Sequence, residues 1–191
     1  MTAQHVQTLI IGAGQAGLTT GYHLKRRGLP FLVVDANERI GDNWRRQWDT
    51  LTLYTPAKYD SLPGLRFPAD PWHYPGKDEV ADYLESYAEH FELPIRHGVR
   101  VDHLTHDGNR FLATSGDMSF EAGNVIVAMA SYQVPKRPGF ANELDSQIVQ
   151  LHVDDPLGEA DAVVVAEADR PVHDALDLLV IIRAGVELQG A

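Results

Sequence analysis

Thr8-Leu9-Ile10-Ile11-Gly12-Ala13-Gly14-Gln15-Ala16-Gly17-Leu18 reads as an apolar strand that breaks into a glycine-rich turn and enters a helix. In such a G-x-G-x-x-G turn, Gly12 permits a bend that a side chain would block. Gly14 lets the backbone approach a pyrophosphate, and Gly17 lets the helix pack against the strand. The helix start then offers unpaired N–H groups and a partial positive charge to phosphate. The flanks agree with this reading. His5 to Ile11 predicts a buried strand. Gly14 to Arg27 predicts a helix with apolar Ala16, Leu18 and Leu24, stopped at Gly28. Phe31 to Val34 predicts a second strand ending on Asp35, eighteen residues beyond Gly17. That spacing suits an acid that takes the ribose hydroxyls of an adenosine. An ordinary βαβ unit that binds no nucleotide is the alternative.

Composition narrows the class. The 191 residues, 44% apolar and 23% charged, suit a soluble globular protein with one domain or slightly more. A net charge of −11 argues against nucleic acid and against anionic membrane surfaces. No apolar run approaches the roughly 20 residues of a membrane span. No basic, then apolar leader opens the chain, so cytoplasm is the expected compartment. Partners are expected to be small molecules, and the oligomeric state is left open. The chain has no cysteine. This removes disulfides, thiolate metal sites, cysteine nucleophiles and redox-active cysteine pairs.

Beyond Asp35, the stretch Glu38-Arg39-Ile40-Gly41-Asp42-Asn43-Trp44-Arg45-Arg46 holds three arginines whose forks suit phosphate oxygens. Gly41 predicts a tight backbone position. Trp44 is suited to lie against a ring system, or else closes the core; Trp48 is expected in the core. Leu51 to Pro75 is rich in proline and aromatic residues and lacks periodicity. It predicts an ordered loop over a cofactor. Lys77 to Phe91 repeats apolar residues at three and four positions and predicts a helix, with Tyr83 and Tyr87 in the core. Ile95 to His97 predicts a third parallel strand. Val99–Leu104, Arg110–Ser115 and Met118–Ala122 predict an antiparallel meander with turns at Asp107-Gly108-Asn109 and Gly116-Asp117. Asn124–Ala130 predicts a further buried strand. His97, His103 and His106 have no spacing that predicts a metal site.

These motifs together resemble the bacterial flavin-containing monooxygenases. The resemblance runs through Gly12-x-Gly14-x-x-Gly17, Asp35, Gly41-x-x-Trp44, Tyr54-Thr55-Pro56 and Tyr83-Leu84-x-x-Tyr87-Ala88. It continues through the meander, Val125–Ala130, Pro135-x-x-Pro138-x-Phe140 and Gln150-Leu151-His152. It implies an α/β, Rossmann-like FAD/NAD(P)-binding domain, a parallel sheet with a small antiparallel β-meander as crossover. It implies FAD as cofactor and NADPH as co-substrate at a second glycine motif. It also implies a flavin hydroperoxide that oxygenates a small organic substrate. Carried over by position, Gly12, Gly14 and Gly17 hold the FAD pyrophosphate and Asp35 its ribose, with Gln15, Ala16 and Ala36 as further cofactor-binding residues. Trp44 and Arg45 lie along the flavin side. Thr55 stands near the isoalloxazine, Val101 offers its backbone to adenine, and Ala128 lies by the cofactor. No catalytic residue is assigned, as the reactive atom is the cofactor's.

Two departures stand out. Ala128-Met129-Ala130 replaces the family's Ala-Thr-Gly, so Ala130 is expected to weaken cofactor binding. After His152 no second G-x-G-x-x-G follows, so the resemblance leads to the expectation that the C-terminal part of the family fold is missing. The expected division is therefore 1–152, a first FAD segment, and 153–191, a divergent acidic tail. The tail carries a strand-like run Ala162–Ala166 and a predicted helix Pro171–Glu187. A coding sequence truncated or frame-shifted near His152 would explain the loss of pattern. A second glycine motif in another reading frame of the DNA tests this. Two further readings remain: a dinucleotide-binding module without activity of its own, and an NAD-linked dehydrogenase, which the meander disfavours.

Overall fold

The computed structural model describes residues 3–130 and 138–145, with the strands Val149–Leu151 and Leu179–Ile181. The chain forms two compact units, Met1–Met129 and Ala130–Ala191.

In the first unit, β1 (Gln4–Ile11) leads into α1 (Gln15–Arg26) and β2 (Leu32–Val34). A short α2 (Asp42–Arg45) and a one-turn 3-10 helix (Ala57–Tyr59) precede α3 (Lys77–His90). Then come β3 (Ile95–Arg96), β4 (His103–His106), β5 (Phe111–Ser115) and β6 (Met118–Val127). One six-stranded sheet runs β3-β2-β1-β6-β5-β4. The first four strands in that order are parallel, and β6-β5-β4 are antiparallel. The α/β, Rossmann-like expectation holds.

Alternation in β1 and β2 divides the core. Ile10 and Val33 join Leu18 and Tyr22 of α1 and Val80, Tyr83, Leu84 and Tyr87 of α3. Leu9, Ile11 and Val34 join Val99, Ala113, Phe120 and Ala122 in a second cluster. Because successive strand side chains point to opposite faces, one tripeptide of β1 contributes to both clusters.

Three strand expectations are corrected. Met118–Ala122 and Asn124–Ala130 are not two strands; one strand, β6, runs from Met118 to Val127 through Gly123. It pairs with β1 from Gln4↔Phe120 to Val6↔Ala122 and, in the same register, from Thr8↔Asn124 to Ile11↔Val127, so the strand continues past the glycine. A Cβ on Gly123 would stand 3.3 Å from the Gln7 carbonyl oxygen, so glycine suits this tight pairing. The meander is thus an extension of the main sheet. Val99–Leu104 is not a strand; the strand there is β4, His103–His106. The residues before it serve as a cross-tie. Gly98 N–H donates to Asn37 O (3.0 Å), Val99 N–H to Asp35 O (2.8 Å) and Asp102 N–H to Thr114 O (2.8 Å). Within the second unit, Leu179–Ile181 is a strand, β8, paired antiparallel with β7 (Val149–Leu151), where a helix over Pro171–Glu187 is expected. Leu-Val-Ile is a short apolar run with two β-branched residues, which suits a strand as well as a helix face. The expected strand Ala162–Ala166, the match at Pro135 and the environment of His152 lie outside the described residues.

The segment Leu51–Pro75 packs on α3. Leu53 N–H donates to Pro75 O (2.8 Å) and Ala57 N–H to His73 O (2.8 Å), which draws its ends together. Pro56, Ala57, Phe67 and Pro75 are buried. The phenols of α3 hold its middle: Tyr83 donates to Leu65 O and Tyr87 to Pro63 O, each at 2.7 Å. Both tyrosines are in the core, as the helical spacing predicts. Burial, first of all, pushes both phenols above the ordinary tyrosine range. Trp48 is corrected: it is 43% exposed. It follows α2 in a stretch that turns back at Leu51 N–H to Trp48 O, away from the buried clusters.

Candidate dinucleotide site

The site is built at the carboxyl end of β1, between its neighbours β2 and β6. Gly12 N–H donates to Val34 O (2.8 Å) and Ala128 N–H to Ile11 O (2.8 Å), tying the three strand ends together. Gly12 has φ +107°, and a Cβ there would stand 2.8 Å from the Ala128 carbonyl oxygen. Only glycine fits both the backbone and the space. At Gly17 a Cβ would stand 1.9 Å from the Gly12 carbonyl oxygen, so the first turn of α1 rests directly on the loop. Gly14 differs: among the described residues, nothing beyond its chain neighbours lies within 4 Å of its Cβ position. The chain itself does not require a glycine there, but a ligand lying on the backbone would.

α1 starts at this opening. Gly14 is its N-cap, no side chain caps it, and no acid stands in its first turn. Gln15 and Ala16 are exposed. The start of the helix therefore offers main-chain N–H groups to an anion.

Asp35 closes the other side. Its Oδ2 accepts the Ala13 N–H at 2.6 Å, and its Oδ1 accepts the Asn37 N–H at 2.9 Å and Asn37 Nδ2 at 3.0 Å. The residue is 9% exposed. The acid thus fixes the glycine loop from the end of β2. Ala36, beside it, is exposed.

Asn37 is a member that sequence reading passed over. Besides Asp35, its Nδ2 reaches Asn43 Oδ1 (3.3 Å), and its Oδ1 accepts Arg46 Nη1 (3.0 Å). An amide two residues past the acid was the available signal, because Asp and Asn side chains commonly bond the backbone two residues on.

The remaining sequence-predicted residues divide. Ala128 lies over the loop, half-buried. Trp44 is half-buried against the helix-side core. Arg45 is turned to protein: it donates to Ile40 O (2.6 Å) and Asp82 Oδ1 (2.8 Å), and pairs with Asp42 and Glu85. With three carboxylates around it, it fastens α2 to α3. Arg39 joins the same cluster through Glu85, and their hydrogen bond holds the Glu85 carboxyl below its ordinary range. Thr55 is exposed and donates to Asp60 Oδ1. Val101 is half-buried against the second core cluster. Gly12, Gly14, Gln15, Ala16, Gly17, Asp35 and Ala128 are therefore brought together, while Arg45, Thr55 and Val101 each have local partners. Among the described residues, no group of three or more His, Asp or Glu side chains is placed to hold a metal ion. Among the same residues, no helix is long and apolar enough to cross a membrane.

A strand, an uncapped helix start, an open glycine and an acid at the next strand end define a Rossmann-like dinucleotide-binding protein. The chain belongs to the pyridine nucleotide-disulphide oxidoreductase family, whose description matches residues 9–180. That match runs past residue 152. It is 40% identical over 181 residues to a protein of Geobacillus kaustophilus named uncharacterized oxidoreductase CzcO-like, covering 92% of this chain and 52% of that one. Among solved structures, it is similar to a flavin-containing monooxygenase from Stenotrophomonas maltophilia. That similarity has 33% identity and a TM-score of 0.65, over 71% of this chain and 41% of the other. The fold is shared with OTEMO in complex with FAD and NADP, at 19% identity and a TM-score of 0.62, over 72% and 28% of the two chains. The chain spans about half the length of the curated relative it matches. These relatives are described as an oxidoreductase and a flavin-containing monooxygenase, and it is OTEMO that is described in complex with FAD and NADP. The absence of cysteine means these residues hold no redox-active thiol pair of their own, despite the family's description.

Proposed function

We propose that this chain holds FAD on the Gly12–Gly17 loop and belongs to an NADPH-dependent flavin monooxygenase that oxygenates a small organic substrate. The observation that carries the reading is the open cradle at Gly14, where apart from its chain neighbours no atom of the described residues lies within 4 Å of its Cβ position, beside an uncapped helix start. The main-chain N–H groups of Gln15 and Ala16 would meet the pyrophosphate. Asp35, already fixed by Ala13 and Asn37, would offer its remaining lone pair to a ribose hydroxyl. Ala128 would bound the cofactor on the β6 side. When bound, FAD supplies the redox chemistry, accepting hydride from a nicotinamide and passing electrons to dioxygen. The protein's part is to hold the cofactor and to shape its surroundings.

A second reading is favoured by one sequence fact: the 191 residues hold a single G-x-G-x-x-G. On this reading these residues bind FAD but do not consume NADPH alone. The division into a first FAD segment, 1–152, and a tail, 153–191, belongs to the same proposal. The cytoplasm is the proposed compartment.

Purified protein after gel filtration tests the first point. Retained yellow flavin absorption supports the FAD reading, and a folded protein that stays colourless after incubation with FAD removes it. NADPH oxidation coupled to oxygen uptake then separates the two readings of activity.

A further inference from the structure

We propose that Arg46 is the cation that meets the phosphate charge of the dinucleotide, an assignment that rests on reading Gly12–Gly17 as an FAD loop. The argument begins with charge. The pyrophosphate of FAD is dianionic, and the start of α1 contributes only about half an elementary charge. The protein carries −11, and the acid nearest the loop, Asp35, adds to the repulsion. A nearby guanidinium would offset this.

Three arginines lie between positions 39 and 46, and the structure separates them. Arg39 makes a fork-to-fork pair with Glu85. Arg45 is surrounded by Asp42, Asp82 and Glu85. Both are neutralised by carboxylates and tie the 39–45 stretch to α3. Arg46 has no carboxylate partner among the described residues. Its Nη1 donates to Asn37 Oδ1 at 3.0 Å, and the residue is exposed.

That single bond is informative because of where it leads. Asn37 Nδ2 donates to Asp35 Oδ1 at 3.0 Å, and Asp35 Oδ2 accepts the Ala13 N–H at 2.6 Å. A continuous hydrogen-bonded chain therefore runs from Arg46 to the middle of the glycine loop. Asn37 is the positioning residue. It holds an unneutralised fork three hydrogen bonds from the loop, and such a fork matches phosphate oxygens in pairs.

The test is an equilibrium titration with FAD, followed by flavin fluorescence at several salt concentrations. Wild type, Arg46→Gln, Arg46→Lys and Arg39→Gln are compared, with ADP as a competitor that carries the diphosphate without the flavin. Arg46→Gln is expected to weaken FAD and ADP alike, by about 10-fold. It should also flatten the dependence of affinity on salt. Arg46→Lys restores the salt dependence and part of the affinity, because the charge remains and the fork does not. Arg39→Gln makes the same change in net charge and leaves FAD affinity within about twofold, since that arginine is already neutralised. Wild-type affinity and salt dependence in Arg46→Gln overturn the proposal and leave the FAD reading standing. A loss for FAD but not for ADP also overturns it, by placing the effect on the flavin half. Absence of FAD binding by wild type removes both.

Discussion

Gly14 and Gly17 stand three residues apart in one motif, yet replacing each by alanine should do opposite things. At Gly17 the new Cβ would stand 1.9 Å from the Gly12 carbonyl oxygen. Ordinary contact needs more than 3 Å, and the obstructing atom is backbone, so it cannot rotate away. The helix must move off the loop by over an ångström, at about 3 kcal/mol. For a unit of this size that is a fall in Tm of roughly 10 °C. At Gly14 the backbone is φ −79°, ψ −172°, which any residue adopts, and nothing among the described residues beyond its chain neighbours lies within 4 Å of a Cβ. Two small effects oppose each other there. Alanine lowers the entropy of the unfolded chain, which stabilises by about 0.4–1 kcal/mol. It is also a poorer N-cap than glycine, by a similar amount. Gly14→Ala should therefore leave Tm within about 2 °C of wild type. The added methyl group nevertheless stands where the pyrophosphate would lie against the backbone, so FAD affinity should fall by about 10-fold or more. Thermal unfolding of the flavin-free protein and FAD titration of both variants read the two quantities separately. Gly14→Ala that binds FAD like wild type would refute the cradle argument. Gly14→Ala that loses as much Tm as Gly17→Ala would refute the reading of the space around it.

Gly41→Ala should destabilise by about 3 kcal/mol in chemical denaturation, because φ is +86° and a Cβ would stand 2.7 Å from backbone atoms of Ala81. Tyr87→Phe removes the donor of a part-buried hydrogen bond to the Pro63 carbonyl, and should cost about 0.5–1.5 kcal/mol by the same measurement. Tyr83 and Tyr87 titrate above the ordinary tyrosine range when folded. Their contribution is therefore complete below about pH 10 and is lost as pH rises through the higher folded values. A stability–pH curve that stays flat in alkali would contradict this. Glu79 behaves in the opposite sense. The Gly76 N–H, and then His73, hold its carboxyl below the ordinary range. Its contribution is present above the ordinary carboxylate range and declines as pH falls through the lower folded value. Glu79→Gln should accordingly flatten the acid side of the same curve.

The elements near the glycine loop were legible because each is specified locally. An apolar run, three glycines and an acid at set spacing describe β1, α1 and β2, and the spacing of apolar residues describes α3. The strand β6 was misdivided because Gly123 resembles a break when only its neighbours in sequence are considered. Its pairing with β1, more than a hundred residues earlier, removes the break. The short strand β8 was mistaken for helix because three apolar residues fit either period.

The sequence alone determined the dinucleotide loop, the acid that follows β2 and the exclusion of thiol chemistry, since these depend on residue type and short spacing. Tertiary structure decided what the charged residues do. Glu85 lies about forty positions from Arg39 and Arg45, and only folding brings α3 against them. That contact neutralises two arginines of three and leaves Arg46 without a carboxylate partner among the described residues. The partner that decides a charge's role is chosen by proximity in space, and no local pattern encodes it.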